Sequence, residues 1–259
     1  MCYRYDTLTC SQHRNYGNTV FGDSGFDRGY LGRGIVLGLL DDGRTAVQIY
    51  WIESRKMSHR RRLLVHDKED NSVRVVCANK LSARSKADLE YTAMVSRQHW
   101  HVVANGPQAE PVIEMLCTEN SLQGIGLATR RSSPIDLLVP RITGVTAIHR
   151  KRPAYAICVA TPQKKPLPHE LIRVHEFPEV PRGYGVCVTT YQGGDHEAVP
   201  FGGPPRLLAI PSSQNCLEQL WDFLPKDLRV GLAVKCIDLL TGRITVSLRS
   251  YLKDIDEKK

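Results

Sequence analysis

Ile35-Val36-Leu37-Gly38-Leu39-Leu40 is apolar at every position except for one glycine. Asp41-Asp42-Gly43 separates it from a second run, Thr45-Ala46-Val47-Gln48-Ile49-Tyr50-Trp51-Ile52. Two β-prone runs around an Asp-Gly turn predict a hairpin. A strand that is apolar on both faces needs cover on both, so the first run is expected in the centre of a sheet. This one segment sets the frame for the rest of the chain.

Further strands are expected over residues 72–77, 87–95, 100–104, 155–161, 171–177 and 185–191. Leu232 to Leu239 and Arg243 to Leu248 form a closing hairpin around Thr241-Gly242. Ala109 to Cys117 carries Val112, Ile113, Met115 and Leu116 at helical spacing. A second helix over Ser121 to Thr129 is weakened by Gly124 and Gly126. Ser212-Ser213 can cap a third over Gln214 to Leu224. Near ten strands and three helices that do not alternate strictly predict an α+β fold, not a doubly wound parallel sheet.

With 42% hydrophobic and 24% charged residues, the 259-residue chain has the composition of a folded protein. Residues 1–29 are polar and aperiodic and read as an extension. Residues 30–252 read as one domain, and 253–259 as a charged tail. No run approaches the ~18 apolar residues of a membrane span, and the Met-Cys-Tyr-Arg-Tyr-Asp start lacks an apolar signal core. A cytoplasmic protein with no membrane partner is expected. Cys2, Cys10, Cys77, Cys117, Cys158, Cys187, Cys216 and Cys236 are scattered with no Cys-x-x-Cys pair. Buried free thiols are therefore expected, and neither a disulfide framework nor a structural zinc site. Composition leaves a homo-oligomer open.

The net charge of +8 attracts anions: nucleic acid, acidic lipid or phosphorylated metabolites. The densest local signal is Ser54-Arg55-Lys56-Met57-Ser58-His59-Arg60-Arg61-Arg62, which sets five cations directly after a strand. Arginine grips phosphate oxygens in a bidentate fork, and lysine adds a point charge. Arg33, just before the first strand, can join them. A solvated basic loop and a nucleic-acid patch helped by His149-Arg150-Lys151-Arg152 are the competing readings. Aromatic residues make up only 7% of the chain and none interleaves the basic runs, so no stacking platform accompanies the patch.

His99-Trp100-His101 sets two imidazoles on one face of a strand, but no second cluster completes a metal site, so no metal is expected. Asp195-His196-Glu197 reads as a polar loop tip within the Gly- and Pro-rich stretch from Gln192 to Arg206. Cys2 would become an N-terminal nucleophile if Met1 were removed, but the first convincing strand starts far downstream at Gly34. Tyr91, Asn105, Arg141 and Tyr191 stand alone at strand ends or turns.

Taken in order, these residues resemble the IMP cyclohydrolase-like family, in its compact archaeal type. Tyr30-Leu31-Gly32-Arg33-Gly34 echoes a Tyr-Pro-Gly-Arg-Gly opening. Ser54-Arg55 and the Arg60 to Arg62 run follow, then Tyr91-Thr92-Ala93-Met94 and His101 to Gln108. Pro140-Arg141-Ile142-Thr143-Gly144, Gly185 to Tyr191 and Phe201-Gly202-Gly203-Pro204 complete the set. The chain departs from the family pattern at Leu31, Lys56, Arg61, Thr92, Ala104 and Val139.

The resemblance implies a four-layer αββα sandwich like that of N-terminal nucleophile hydrolases, without the N-terminal nucleophile. It implies cofactor-free ring closure of a formamido-imidazole-carboxamide ribotide to IMP. On that resemblance Arg33, Arg55, Arg60 and Arg62 are expected to hold the phosphate and Tyr191 to meet the base. Tyr91 is expected to move a proton or donate to the oxyanion, with Asn105 and Arg141 orienting the reacting groups.

Overall fold

The computed structural model describes residues 29–78, 89–131, 139–163, 169–193, 198–212 and 215–256. The doubly apolar run is β1 (Arg33–Leu39), and it lies inside a sheet between β2 (Thr45–Glu53) and β10 (Tyr184–Thr189). The edges of this six-stranded sheet are β11 (Arg206–Ala209) beyond β10, and β13 (Ile244–Ser250) beyond β12 (Arg229–Asp238), in the order β11-β10-β1-β2-β12-β13.

A seven-stranded sheet runs in sequence order. Its strands are β3 (Arg62–Asp67), β4 (Ser72–Cys77), β5 (Tyr91–Arg97), β6 (Trp100–Ala104), β7 (Arg141–His149), β8 (Arg152–Gln163) and β9 (His169–Phe177). Every named strand pair is antiparallel.

Because successive strand residues point to opposite faces, each strand of the six-stranded sheet feeds two cores. Ile35, Leu37, Tyr50, Ile52, Val186, Val188 and Ala233 meet Val103, Ile142, Ile157 and Val159 of the other sheet. Val36, Val47, Ile49, Trp51, Cys187 and Leu232 meet the helix α3 (Cys216–Phe223) through Leu220 and Trp221. The seven-stranded sheet turns Val102, Val145 and Cys158 toward α1 (Ala109–Glu119) and α2 (Ile125–Arg131). Gly144 is a point of close approach between the sheets. A Cβ there would lie 2.9 Å from Ile35 Cγ2 and 3.1 Å from Leu37 Cδ1.

The α+β class holds, with two antiparallel sheets and four helices among the described residues. The sequence underestimates the strands: β3, β7 and β11 lie in segments for which no strand was expected. The fourth helix, α4 (Tyr251–Asp256), takes up residues expected in a charged tail. Asp254 explains the difference, since it accepts from Trp221 Nε1 at 3.0 Å and from Arg249 Nε at 3.4 Å, tying the helix to the α3 core. The expected helix over 121–129 divides into a 3-10 turn (Leu122–Gly124) and α2. Cys2, the 1–28 extension and Asp195-His196-Glu197 lie outside the described residues. The six described cysteines are free thiols, three of them buried. No described helix is long and apolar enough to cross a membrane.

Candidate functional site

The site is built outward from the turn that enters β1. Gly32 adopts φ +77°, and a Cβ there would lie 2.3 Å from Thr190 Oγ1 and 2.7 Å from Tyr191 Cδ2. Only glycine fits both the backbone and the space. Glu53, at the end of β2, holds this turn: its Oε2 accepts from Leu31 N at 2.8 Å and Gly32 N at 3.2 Å. From the other side Thr190 Oγ1 accepts from Arg33 N at 3.0 Å and donates to Leu31 O at 3.2 Å. Burial of Glu53 drives its carboxyl up to about 7, against the lowering effect of the two backbone donors.

This clamp sends the Arg33 side chain into a ring of tyrosines. Burial lowers its pKa, but the hydroxyls of Tyr91, Tyr50, Tyr30 and Tyr191 outweigh that effect, and the net shift is upward. Arg62, at the start of β3, reaches the same place from the other sheet and is almost wholly buried. Its pKa falls, first through burial and then through repulsion from Arg33, while Tyr91 and Tyr50 oppose the fall. Arg62 Nε donates to His59 O at 2.8 Å. Its Nη1, like Arg33 Nε, has no hydrogen-bond partner among the described residues. Neither arginine forms an ion pair there. Two desolvated guanidinium groups side by side, with donors unspent, are stabilised by an anion that bridges them.

Tyr91 opens β5, and its hydroxyl lies 2.7 Å from that of Tyr50, which is fully buried. Burial, followed by the Tyr91 hydroxyl, pushes Tyr50 well above the ordinary phenol range. Tyr50 thus stays protonated and can donate to Tyr91. His59 is also held low, by burial and then by the charges of Arg62, Lys56 and Arg33. Sequence reasoning passed over both residues. Tyr50 looked like strand filling, although it shares the inward face of β2 with Ile52; His59 was lost in the basic run.

Tyr30 stacks on Tyr191 with ring centroids 5.3 Å apart, and the Arg55 guanidinium lies 4.5 Å from the Tyr30 ring centre. Arg55 is exposed and joins the cluster through this stack. Arg60 does not join it. It ends a 3-10 turn (Met57–Arg60), and its guanidinium lies 4.2 Å over the Tyr251 ring, with Nη2 donating to Lys226 O at 3.4 Å. The tight turn carries Arg60 toward α4 while Arg62, two residues on, enters the sheet. Lys56 and Arg61 are exposed.

Asn105 and Arg141 sit at the same end of the seven-stranded sheet as Tyr91. β5 and β6 pair with Met94 opposite Val103, and Asn105 N donates to Ile142 O at 3.2 Å. The Asn105 amide makes three hydrogen bonds within the protein. Its Nδ2 donates to Pro140 O at 2.8 Å, and its Oδ1 accepts from Gln108 Nε2 and Ile142 N, both at 2.9 Å. It therefore positions the start of β7, and the second N–H of Nδ2 is the amide donor not used in these bonds. Arg141 packs against Gly106, where a Cβ would lie 2.1 Å from its Nη1. Ala104 is buried within β6, while Thr92 and Val139 are half-buried.

His99 and His101 do not share a face, because β6 begins only at Trp100. His99 sits in the hairpin turn against His149, with centroids 4.3 Å apart, while His101 points between the sheets. No group of three metal-binding side chains occurs among the described residues.

A family model described as IMP cyclohydrolase-like protein matches residues 30–242, most of the chain. A search of curated proteins found no match. The chain belongs to the IMP cyclohydrolase-like family.

Proposed function

We propose that this family member closes the purine ring of the 5-formamido-imidazole-4-carboxamide ribotide, giving IMP and water. The observation that carries the reading is the pair of arginines, half-buried Arg33 and buried Arg62, with unspent donors beside the Tyr50–Tyr91 hydroxyl pair. An anion-binding locus and a proton-handling group lie together where two strand ends from different sheets meet. The fold is read with it as a four-layer αββα sandwich of the N-terminal nucleophile hydrolase type, used here without an N-terminal nucleophile. Residues 30–252 form its single domain, and the ribotide is its partner in the cytoplasm.

In this reading Arg33 and Arg62 grip the phosphate, with Arg55 at the rim. The carboxamide nitrogen attacks the formyl carbon, a C–N bond forms, and the formyl oxygen gains negative charge. Tyr91 donates to that oxygen while Tyr50 donates to Tyr91, so charge developing on the phenol is shared. One proton from the attacking carboxamide nitrogen and the proton of the formamido nitrogen pass to that oxygen, and water leaves as the C–O bond breaks and a C=N bond to the formamido nitrogen forms. Holding the two groups in contact supplies much of the remaining acceleration. Arg141 orients the carboxamide, on a strand whose start Asn105 holds in place.

The test is ultraviolet detection of IMP formed from the formamido ribotide without added metal. Tyr91→Phe should lower kcat by on the order of 10²–10³ with KM little changed. Arg62→Ala should chiefly raise KM. A chain that the ribotide stabilises thermally but does not convert would be a nucleotide-binding protein without turnover, and the catalytic reading would be abandoned.

A further inference from the structure

Toward the opposite end of the sheets the gap between them is polar. Ser96 lies five residues beyond Tyr91 on β5, ~17 Å along an extended strand. There Gln48 and Lys235, cross-strand neighbours on β2 and β12, enter the gap fully buried. Facing them, Ser96, His101 and Thr146 form one cross-strand row on β5, β6 and β7. Lys235 Nζ lies 2.6 Å from Ser96 Oγ and 3.1 Å from Asn71 O, and Ser96 Oγ lies 2.8 Å from His101 Nδ1. Gln48 Nε2 donates to His101 O at 3.0 Å and Thr146 Oγ1 at 3.2 Å. Ser96 and His101 also line a cavity of about 390 Å³, together with Asp70, His99, Ile148 and Ile237. Lys235 lies behind Ser96, out of the cavity wall.

A buried ammonium without a carboxylate in contact is unfavourable. Burial brings the Lys235 amine down to about 7, with Asp70 the opposing charge. The neutral amine donates to Asn71 O and keeps one lone pair for the Ser96 hydroxyl proton. Burial, and then the Lys235 charge, keep His101 neutral, at about 3. Its Nδ1–H can then donate to the serine oxygen, which retains a lone pair on the cavity side. A hydroxyl backed by an uncharged amine and steadied by a third group is the arrangement of an activated nucleophile.

We infer that Ser96, with Lys235 as its base, is the nucleophile of a second site that takes small neutral or cationic acyl esters. Ser96 Oγ bonds to the ester carbonyl carbon as its proton passes to Lys235 Nζ. The C–O bond to the leaving alcohol then breaks, and the alcohol takes that proton. Water, deprotonated by the same amine, attacks the acyl-serine and releases the acid. Ile148 and Ile237 give the acyl group an apolar wall, while Glu69, Asp70 and Asp238 outnumber Arg97 on the same cavity, disfavour anionic substrates and repel the carboxylate product.

The experiment is labelling of the full chain with a small uncharged fluorophosphonate, followed by peptide mass mapping. A Ser96 adduct should form in the folded protein and vanish in urea. Lys235→Met should slow labelling by on the order of 10²-fold, and Ser96→Ala should abolish it, both without change in IMP formation. Absence of a Ser96 adduct overturns the inference, as does an unchanged labelling rate in a folded Lys235→Met protein. If that variant does not fold, the pH profile of wild-type labelling decides. The groups facing Nζ are Asp70, Asn71, Gln48, Ser96 and His101, with His99 across the cavity. Asp70, His99 and His101 are all held below their ordinary values. A rate that rises through pH 7 supports the amine as base, and a flat rate refutes it.

Discussion

Replacing Asn105 by alanine tests how the end of the seven-stranded sheet is held. The side chain is 1% exposed and makes three hydrogen bonds. Gln108 Nε2 keeps a second acceptor, Ile142 O, at 3.2 Å. Pro140 O and Ile142 N lose the bonds that the amide supplies. Leaving two buried backbone groups unsatisfied costs about 1–3 kcal/mol each, so the variant should lose about 4 kcal/mol. In a domain of this size that lowers Tm by on the order of 10 °C. Urea unfolding at neutral pH should show a lower midpoint with an unchanged slope, because the surface exposed on unfolding is the same. Asn105→Asp keeps the acceptor oxygen but sets a carboxylate oxygen against Pro140 O, so its loss should grow as the acid ionises. An Asn105→Ala protein destabilised by less than about 1 kcal/mol would refute the positioning role.

Three further outcomes follow from the same geometry. Gly106→Ala puts a Cβ 2.1 Å from Arg141 Nη1 and 2.7 Å from Gln108 Oε1, both ends of flexible side chains. It should move Arg141 and lower kcat for IMP formation by on the order of 10²-fold, with Tm nearly unchanged; unchanged kcat would remove Arg141 from the reaction. Gly34→Ala drives a Cβ to 1.9 Å from Trp51 Cζ2 in a buried ring. It should cost about 3 kcal/mol or more, partly recovered by Trp51→Phe, as read by urea unfolding. Glu53→Gln should change the pH dependence of stability. Burial raises the folded carboxyl from 4.5 to about 7, so the folded state holds a proton that the unfolded chain has already released in that window. Stability is therefore lost as pH rises through the window, and the full penalty, about 3 kcal/mol, applies above it. The substituted amide cannot ionise, yet its oxygen still accepts from Leu31 and Gly32, so the variant should gain stability at pH 8.5 and little at pH 4.5. Equal gains at both would refute the assignment.

The β1–β2 hairpin was legible because Asp-Gly and unbroken apolar runs are local signals. β7 was not. Gly144 and two threonines interrupt its pattern, and glycine is required there because Ile35 and Leu37 of the other sheet, and Val103 of the adjacent strand, press against it. β3 was hidden because its first residue, Arg62, looked like the last of a basic loop. In the site, Arg33, Arg62 and Tyr91 could be nominated from residue type and motif order, and the structure brings these three together. Arg60 was misplaced because a single 3-10 turn decides its direction. The hold of Asn105 on β7 was hidden because its partners, Pro140 and Ile142, lie 35 and 37 residues away in sequence. Lys235 reads as one charge in a strand, and nothing local reveals Ser96 and Asn71 waiting for it.

The Gln48–Lys235 pair facing Ser96, His101 and Thr146 also has a mechanical consequence. Methyl groups pressed together tolerate small displacements, whereas hydrogen bonds of fixed length and direction do not. These contacts pin one sheet over the other like a dowel. Splaying the sheets apart would break them first. Any opening that admits a ligand between Arg33 and Tyr91 must then come from the connections around that end, with the two sheets moving as one body.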